Sequence, residues 1–287
     1  MNQIVVYLFI IIFLLILKYL VVLKLRNKEK FQNKDTHFKV IVTTYNPGSK
    51  YLEKCLRSIE KQNYSNYELC ILDDASTKMK KDLEILIKFY CHKNKWKYKL
   101  RKTNIGPLGG RIEAINELKP NDEDVIISID GDDELYDAYV FEKLNDYYKN
   151  NDILITFGTF LRSDQKKLMK SRMNCDKYNL DVISSKKLFR KTGWIYSHLK
   201  TFKYKLYKKI NHDDLKMDNK YIKSSTDMAL MYPMLEMSNK KFKCIPDILY
   251  IYNIFHPESN HNDPKKLQEQ RTNAVFVRSK EPYKSIF

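Results

Sequence analysis

Asp130-Gly131-Asp132-Asp133 packs three carboxylates into four residues, directly after the apolar run Val125-Ile126-Ile127-Ser128-Ile129. Carboxylates this close repel one another unless a cation or a hydrogen-bond donor separates them. A hard divalent ion carrying a diphosphate meets that need, because Mg²⁺ takes few carboxylates and completes its shell with phosphate oxygens. The plain alternative is a solvated acidic turn. An EF-hand calcium loop does not fit: Leu135 stands where that loop needs glycine, and Phe141 where it needs the bidentate glutamate.

The elements around this tetrapeptide alternate. Phe38 to Thr44 reads as a strand, closed by the turn signal Asn46-Pro47-Gly48. A helix follows with Leu52, Cys55, Leu56 and Ile59 on one face and Ser49 as its N-cap. Tyr67 to Leu72 is a second strand ending in Asp73-Asp74-Ala75-Ser76-Thr77, and a helix bearing Leu83, Leu86, Ile87 and Tyr90 comes next. Lys97 to Leu100 is a short strand, Gly106 to Gly110 a loop, and Arg111 to Leu118 a helix. The strand before Asp130 leads to a helix with Val140, Phe141, Leu144 and Tyr148, then to a strand from Ile153 to Phe157. Strands alternating with helices at this spacing predict βαβ units and a mainly parallel α/β sheet. Three polar clusters then converge on one sheet edge: Thr43-Thr44-Tyr45-Asn46, Asp73-Asp74-Ala75-Ser76 and the acidic tetrapeptide. From Arg162 to Asn219 the chain is polar, lysine-rich and aromatic without a clear period, which suits an acceptor-binding insertion better than more sheet. Trp194, Tyr196, His198, Phe202 and Tyr204 could form a platform for a sugar face; ordinary core aromatics are the competing reading.

The chain has 287 residues, enough for a sizeable core in one or two domains. Ile4 to Leu23 is apolar except for Lys18, long enough to span a bilayer of roughly 30 Å as a helix. Lys24, Arg26, Lys28 and Lys30 follow it and nothing basic precedes it, so the remainder is expected on the cytosolic side of the membrane. This gives a membrane anchor over 1–23 and a polar linker over 24–37. Cys55, Cys70, Cys91, Cys175 and Cys244 show no metal-ligand or redox spacing and are expected as reduced thiols, mostly buried. The net charge of +17 could favour anionic membrane, nucleic acid or a phosphorylated substrate. Its lysines are scattered rather than gathered in one tract, so no nucleic-acid partner is expected.

Over roughly residues 38 to 256 the sequence resembles the inverting family 2 glycosyltransferases of the GT-A fold. The resemblance is carried by Val40-Ile41-Val42-Thr43-Thr44-Tyr45-Asn46, by Leu56, Ser58, Ile59 and Gln62, by Tyr67-Glu68 through Thr77, and by the acidic tetrapeptide. It implies a nucleotide-sugar-binding half over 38–160 and an acceptor and catalytic-base half over 161–287 of one GT-A domain. It assigns Thr43, Tyr45, Asp73 and Asp74 to the nucleotide, commonly uridine. A carboxylate can accept the uracil N3 proton, a bond that discriminates against bases lacking the donor. The loop Asn104-Ile105-Gly106-Pro107-Leu108-Gly109-Gly110-Arg111 resembles the family's glycine-containing loop, with Arg111 toward the diphosphate or base edge. Asp130 is implied at the ribose or the metal's water shell, Asp132 on a Mn²⁺ or Mg²⁺ ion bridging the diphosphate, and Asp133 as an auxiliary member. Ser225-Thr226-Asp227 stands where the family has its Glu-Asp motif ahead of a helix, so Asp227 is implied as the general base; Thr226 replaces the usual glutamate. After the final strand, Pro246 to Tyr252, His256 falls where many members hold the metal or diphosphate.

The expected reaction is metal-dependent transfer, with inversion, from a UDP-linked nucleotide sugar to a glycan or lipid-linked saccharide near the membrane. A sugar-nucleotide nucleotidyltransferase is the rival enzyme, but it would carry a glycine-rich Arg-Lys loop after the first strand, and Thr43 to Gly48 offers none. A non-catalytic membrane-anchored glycan or nucleic-acid binder of the same fold would have no use for a base at Asp227.

Overall fold

The computed structural model describes residues 12–20, 35–149, 152–163, 179–255 and 263–287. One eight-stranded sheet organises the chain, in the order β3-β2-β1-β4-β7-β6-β10-β5. Its strands are β1 (Phe38–Thr44), β2 (Tyr67–Asp73), β3 (Lys97–Leu100), β4 (Val125–Asp130), β5 (Glu134–Leu135), β6 (Ile155–Arg162), β7 (Ser197–Lys203) and β10 (Phe242–Tyr252). The small strands β8 (Lys216–Met217) and β9 (Lys220–Tyr221) form a separate hairpin. Strands β3, β2, β1 and β4 run parallel, as do β6 and β10; β7 pairs antiparallel with β4 and β6, and β5 antiparallel with β10.

Alternation along the strands builds two cores. Val40, Val42, Leu69 and Ile71 face α1 (Ser49–Glu60), α2 (Lys80–Asn94) and α4 (Val140–Lys149). Ile41, Cys70 and Leu72 face the other way, toward α3 (Gly106–Leu118) and, further along the sheet, α7 (Thr226–Met237) and α8 (Pro264–Ser279). Two short helices, α5 (Leu180–Ser185) and α6 (Tyr204–Tyr207), flank β7. The register pairs Thr44 with Asp73 and Thr43 with Asp130, so the three polar clusters do meet at one edge.

Several sequence expectations change. Gly106 to Gly110 is not a loop but the first turns of α3, which the chain enters with Gly106 at φ +82°. Ser49 is the first helical residue of α1 rather than its cap; Gly48 occupies the cap position. The strand expected from Ile153 runs from Ile155 to Arg162. The stretch from Arg162 to Asn219 supplies β7, inserted in the middle of the sheet between β4 and β6. Its pattern is hidden because buried His198 and Lys200 occupy positions where an apolar side chain is expected. Tyr196 and Phe202 are core residues, and Trp194 packs edge-on to Tyr196 and Tyr232. Cys55, Cys70 and Cys91 are free and buried as expected, whereas Cys244 is disulfide-bonded; Cys175 lies outside the described residues.

Of the apolar run Ile4 to Leu23, residues 12–20 are helical, with side chains exposed. Among the described residues no helix is long and apolar enough to cross a membrane, and the rest of that run lies outside them.

Candidate active site

A cleft of about 480 Å³ opens at the carboxyl edge of β1, β2 and β4. Thr43, Tyr45 and Asp74 line it together with Asp130, Asp132 and Asp133, and Lys223 and Ser224 close it from the segment before α7. The two neighbouring aspartates at the end of β2 divide their work. Asp73 accepts from the backbone N–H and the hydroxyl of Ser76, at 3.0 and 2.5 Å, and does not line the cleft. Its carboxylate shapes the turn. Asp74 accepts from the N–H of Ile105 at 2.9 Å and of Gly106 at 2.8 Å, the open head of α3. Each carboxylate oxygen has a second lone pair, so Asp74 can still accept a bond from a ligand. Burial raises its pKa, against the lowering effect of those two N–H groups and of Arg101.

The acidic turn is packed tightly against the first strand. Gly131 donates to the Thr43 carbonyl at 2.9 Å, and a Cβ at Gly131 would come within 2.7 Å of the Thr44 Cβ. Gly131→Ala must therefore displace the turn. We expect a loss of about 1–3 kcal/mol in urea unfolding, the usual range for overpacking.

Asp133 is buried; its Oδ1 accepts from the Asn253 N–H at 2.7 Å, while its Oδ2 is buried without a partner. Burial, with Asp132 and Asp130 nearby, pushes its pKa well up. His198, on β7, stacks on Tyr250 at 4.6 Å, and its Nδ1 is also buried without a partner. Burial and the neighbouring Lys200 lower its pKa to about 3, so the imidazole is neutral. One ligand atom each from Asp130, Asp133 and His198 lies within 4.8 Å of the others. Two carboxylates, a neutral imidazole and two orphaned acceptor atoms fit a divalent cation. The sequence had nominated Asp132, Asp130 and His256. Asp132 lines the cleft outside this group, and His256 lies outside the described residues.

Beside this group stands a set of alternating charges, with Arg111 and Lys200 buried and Asp130 and Asp227 about a quarter exposed. Arg111, on α3, donates to Asp130 Oδ1 at 2.8 Å and to the Thr226 hydroxyl at 2.6 Å, and its Nη1 lies 3.1 Å from Asp227 Oδ1. Lys200 donates to Asp227 Oδ2 at 2.6 Å. For Asp227, burial favours the neutral acid, but Lys200 and Arg111 outweigh it and hold the carboxyl below its ordinary range. Asp130 is lowered in the same way, Arg111 acting most strongly against burial. Asp227 occupies the first turn of α7, where the helix dipole also favours a negative charge. Sequence reasoning named Arg111, Asp130 and Asp227, gave His198 only a place in an aromatic platform for a sugar, and missed Lys200. No period-2 pattern in Ser197–Lys203 marks them, because its apolar residues Leu199 and Phe202 stand three apart.

A mostly parallel α/β sheet whose strand ends gather an acidic cleft is the architecture of the GT-A glycosyltransferases. The chain belongs to glycosyl transferase family 2, whose profile matches residues 39–214. No curated protein matches it. Among solved structures it is similar to TarS of S. aureus, with a TM-score of 0.57 at 20% identity, covering 84% of this chain and 39% of that one. The 1-349 fragment of TarS in complex with UDP-GlcNAc gives a TM-score of 0.58 at 17% identity, covering 86% of this chain and 68% of that one. The mannosyltransferase PcManGT from Pyrobaculum calidifontis, in complex with GDP-Man and Mn²⁺, gives 0.57 at 14% identity, covering 91% and 73%. The chain thus spans about two fifths of full TarS, and likenesses at these identities speak to the fold.

Proposed function

We propose that this glycosyltransferase moves a sugar from a UDP-linked donor to a glycan or lipid-linked saccharide, with inversion and with a divalent metal. The observation that carries this reading is the cleft itself, with Thr43, Tyr45 and Asp74 among its walls, three carboxylates at Asp130, Asp132 and Asp133, and Asp227 tied to Asp130 through Arg111. Fold relatives solved with UDP-GlcNAc or with GDP-Man and Mn²⁺ make nucleotide sugars the natural donor class.

In this reading Asp74 accepts the uracil N3–H, and Tyr45, 43% exposed on the cleft wall, offers its ring to the base. Asp130, Asp133 and His198 would hold the metal, with Asp132 toward the diphosphate. When bound, the ion neutralises charge developing on the departing diphosphate. Asp227 takes the acceptor's hydroxyl proton as the new bond from the acceptor oxygen to the anomeric carbon forms. The bond from that carbon to the diphosphate oxygen breaks with its electron pair, and one displacement inverts the centre. Among the described residues the site needs no second carboxylate acting as nucleophile.

The test is release of nucleoside diphosphate from a panel of UDP-, GDP- and CDP-sugars with Mn²⁺. Asp74→Asn should weaken UDP binding by about tenfold or more, the cost of a lost hydrogen bond to a charged group. It should leave CDP binding, weak to begin with, little changed. Equal binding of all three nucleotides by the wild type would remove the uridine assignment.

We also assign the run Ile4 to Leu23 as the membrane tether, with the catalytic domain on the cytosolic face. The exposed apolar side chains of 12–20, which the rest of the domain does not cover, and the basic flank after the run support it. Protease treatment of sealed vesicles should spare the domain when it lies inside; cleavage without permeabilisation would reverse the orientation.

A further inference from the structure

Lys200 sits in the middle of the sheet, paired with Ser128 of β4, and its side chain is only 5% exposed. Burying an ammonium costs several kcal/mol, and apolar replacements of buried ion pairs are often neutral or stabilising. A lysine at this place therefore needs a reason other than stability. Its contacts supply one. Nζ donates to Asp227 Oδ2 at 2.6 Å and lies 3.4 Å from His198 Nε2 on its far side.

The terminal torsion of an aspartate is broad, so a contact on one oxygen alone leaves the carboxylate free to turn. Arg111 grips Asp227 Oδ1 but also holds Asp130 and Thr226, and by itself would draw the base toward the metal-side carboxylates. Lys200 takes the other oxygen from the β7 side, and the two cations together fix the plane. From this, and resting on the transfer reaction proposed above, we infer that Lys200 is a positioning residue that orients the Asp227 carboxylate to receive the acceptor's proton. The rival role, a direct contact with the donor diphosphate, has less support, because Lys200 does not line the cleft.

The two roles separate in the full chain with Lys200→Met and Lys200→Arg. The readouts are UDP release from the donor selected in the panel, with Mn²⁺ and water as acceptor, and UDP affinity by calorimetry. For a misaligned base, Lys200→Met should lower kcat about a hundredfold, with KM and the UDP Kd within about threefold of wild type. Lys200→Arg, which keeps the charge and a donor, should recover about tenfold of that loss. In an Asp227→Asn background Lys200→Met should cost nothing further, since it acts through the missing carboxylate. An unchanged kcat, a loss carried by KM and UDP affinity, or full additivity with Asp227→Asn overturns the inference. Should the wild type turn over no nucleotide sugar, the functional reading falls first. Crystal structures of wild type and Lys200→Met then decide the point: Asp227 leaves its orientation if Lys200 holds it, and stays if Lys200 does not.

Discussion

Asp227→Asn is expected to lower sugar transfer, and hydrolysis of the donor by water, by a factor of about 10² to 10⁴, the range for removing a general base. UDP affinity should stay close to wild type, because Asp227 is not among the residues lining the nucleotide cleft. The substitution keeps the shape and one carbonyl acceptor, so Arg111 or Lys200 retains a partner, but it removes the negative charge both were paired with. A stability cost is therefore expected beside the catalytic one. With the carboxylate 27% exposed, it should fall at or below the usual 3–5 kcal/mol, roughly, for breaking a buried pair. Measuring the thermal midpoint and UDP binding on the same preparation separates the two effects. A folded, UDP-binding Asp227→Asn enzyme that transfers at the wild-type rate would show that another group takes the proton.

The parallel half of the fold was legible because its apolar residues alternate or run continuously, and turn residues punctuate them. Val40-Ile41-Val42 and Val125 to Ile129 can be read as buried strands without further context, and the βαβ rule then brings Thr43, Asp74 and Asp130 together. What was not legible follows from tertiary contacts. Asp73 and Asp74 are adjacent in sequence, yet one is spent on Ser76 and the other on the head of α3, and nothing local distinguishes them. β7 escaped notice because His198 and Lys200 are buried by virtue of their partners, Tyr250 and Asp227, which lie 52 and 27 residues away in the chain. A polar residue in a buried strand looks like a loop residue until its counter-charge is known. The group Asp130, Asp133 and His198 was hidden for the same reason: continuing the antiparallel register from Ser128 and Lys200 by two residues sets His198 opposite Asp130.

Arg111→Met is the substitution expected to damage the molecule most. The guanidinium is buried at 5% exposure and serves Asp130, Thr226 and Asp227 at once. Methionine fills much of the same volume, so the loss is one of charge rather than of packing. Asp130 and Asp227 would then share Lys200 as their remaining close cation, and one partly buried negative charge would go uncompensated. Removing one partner of a buried pair costs about 3–5 kcal/mol, and with both carboxylates about a quarter exposed the loss should fall at or below that, lowering the melting temperature by up to roughly 10 °C. The sign of the pH response is fixed by the same contacts. Both carboxyls are held below their ordinary range in the wild type, so their contribution to stability is present above about pH 4 and is lost as the pH falls through the lowered values. In Arg111→Met that acid-side loss should shrink, because the carboxyls no longer gain as much on folding. Asp130→Asn in the same background should restore part of the stability, since it deletes the charge left without a partner; this non-additivity is measured by urea unfolding of the four combinations. A stable Arg111→Met with additive behaviour would mean that Lys200 and solvent already balance the pair. If the cycle couples as expected, Arg111 joins the cleft to the proposed base in energy as well as in space, because it binds Asp130 on the cleft wall and Asp227 beside it.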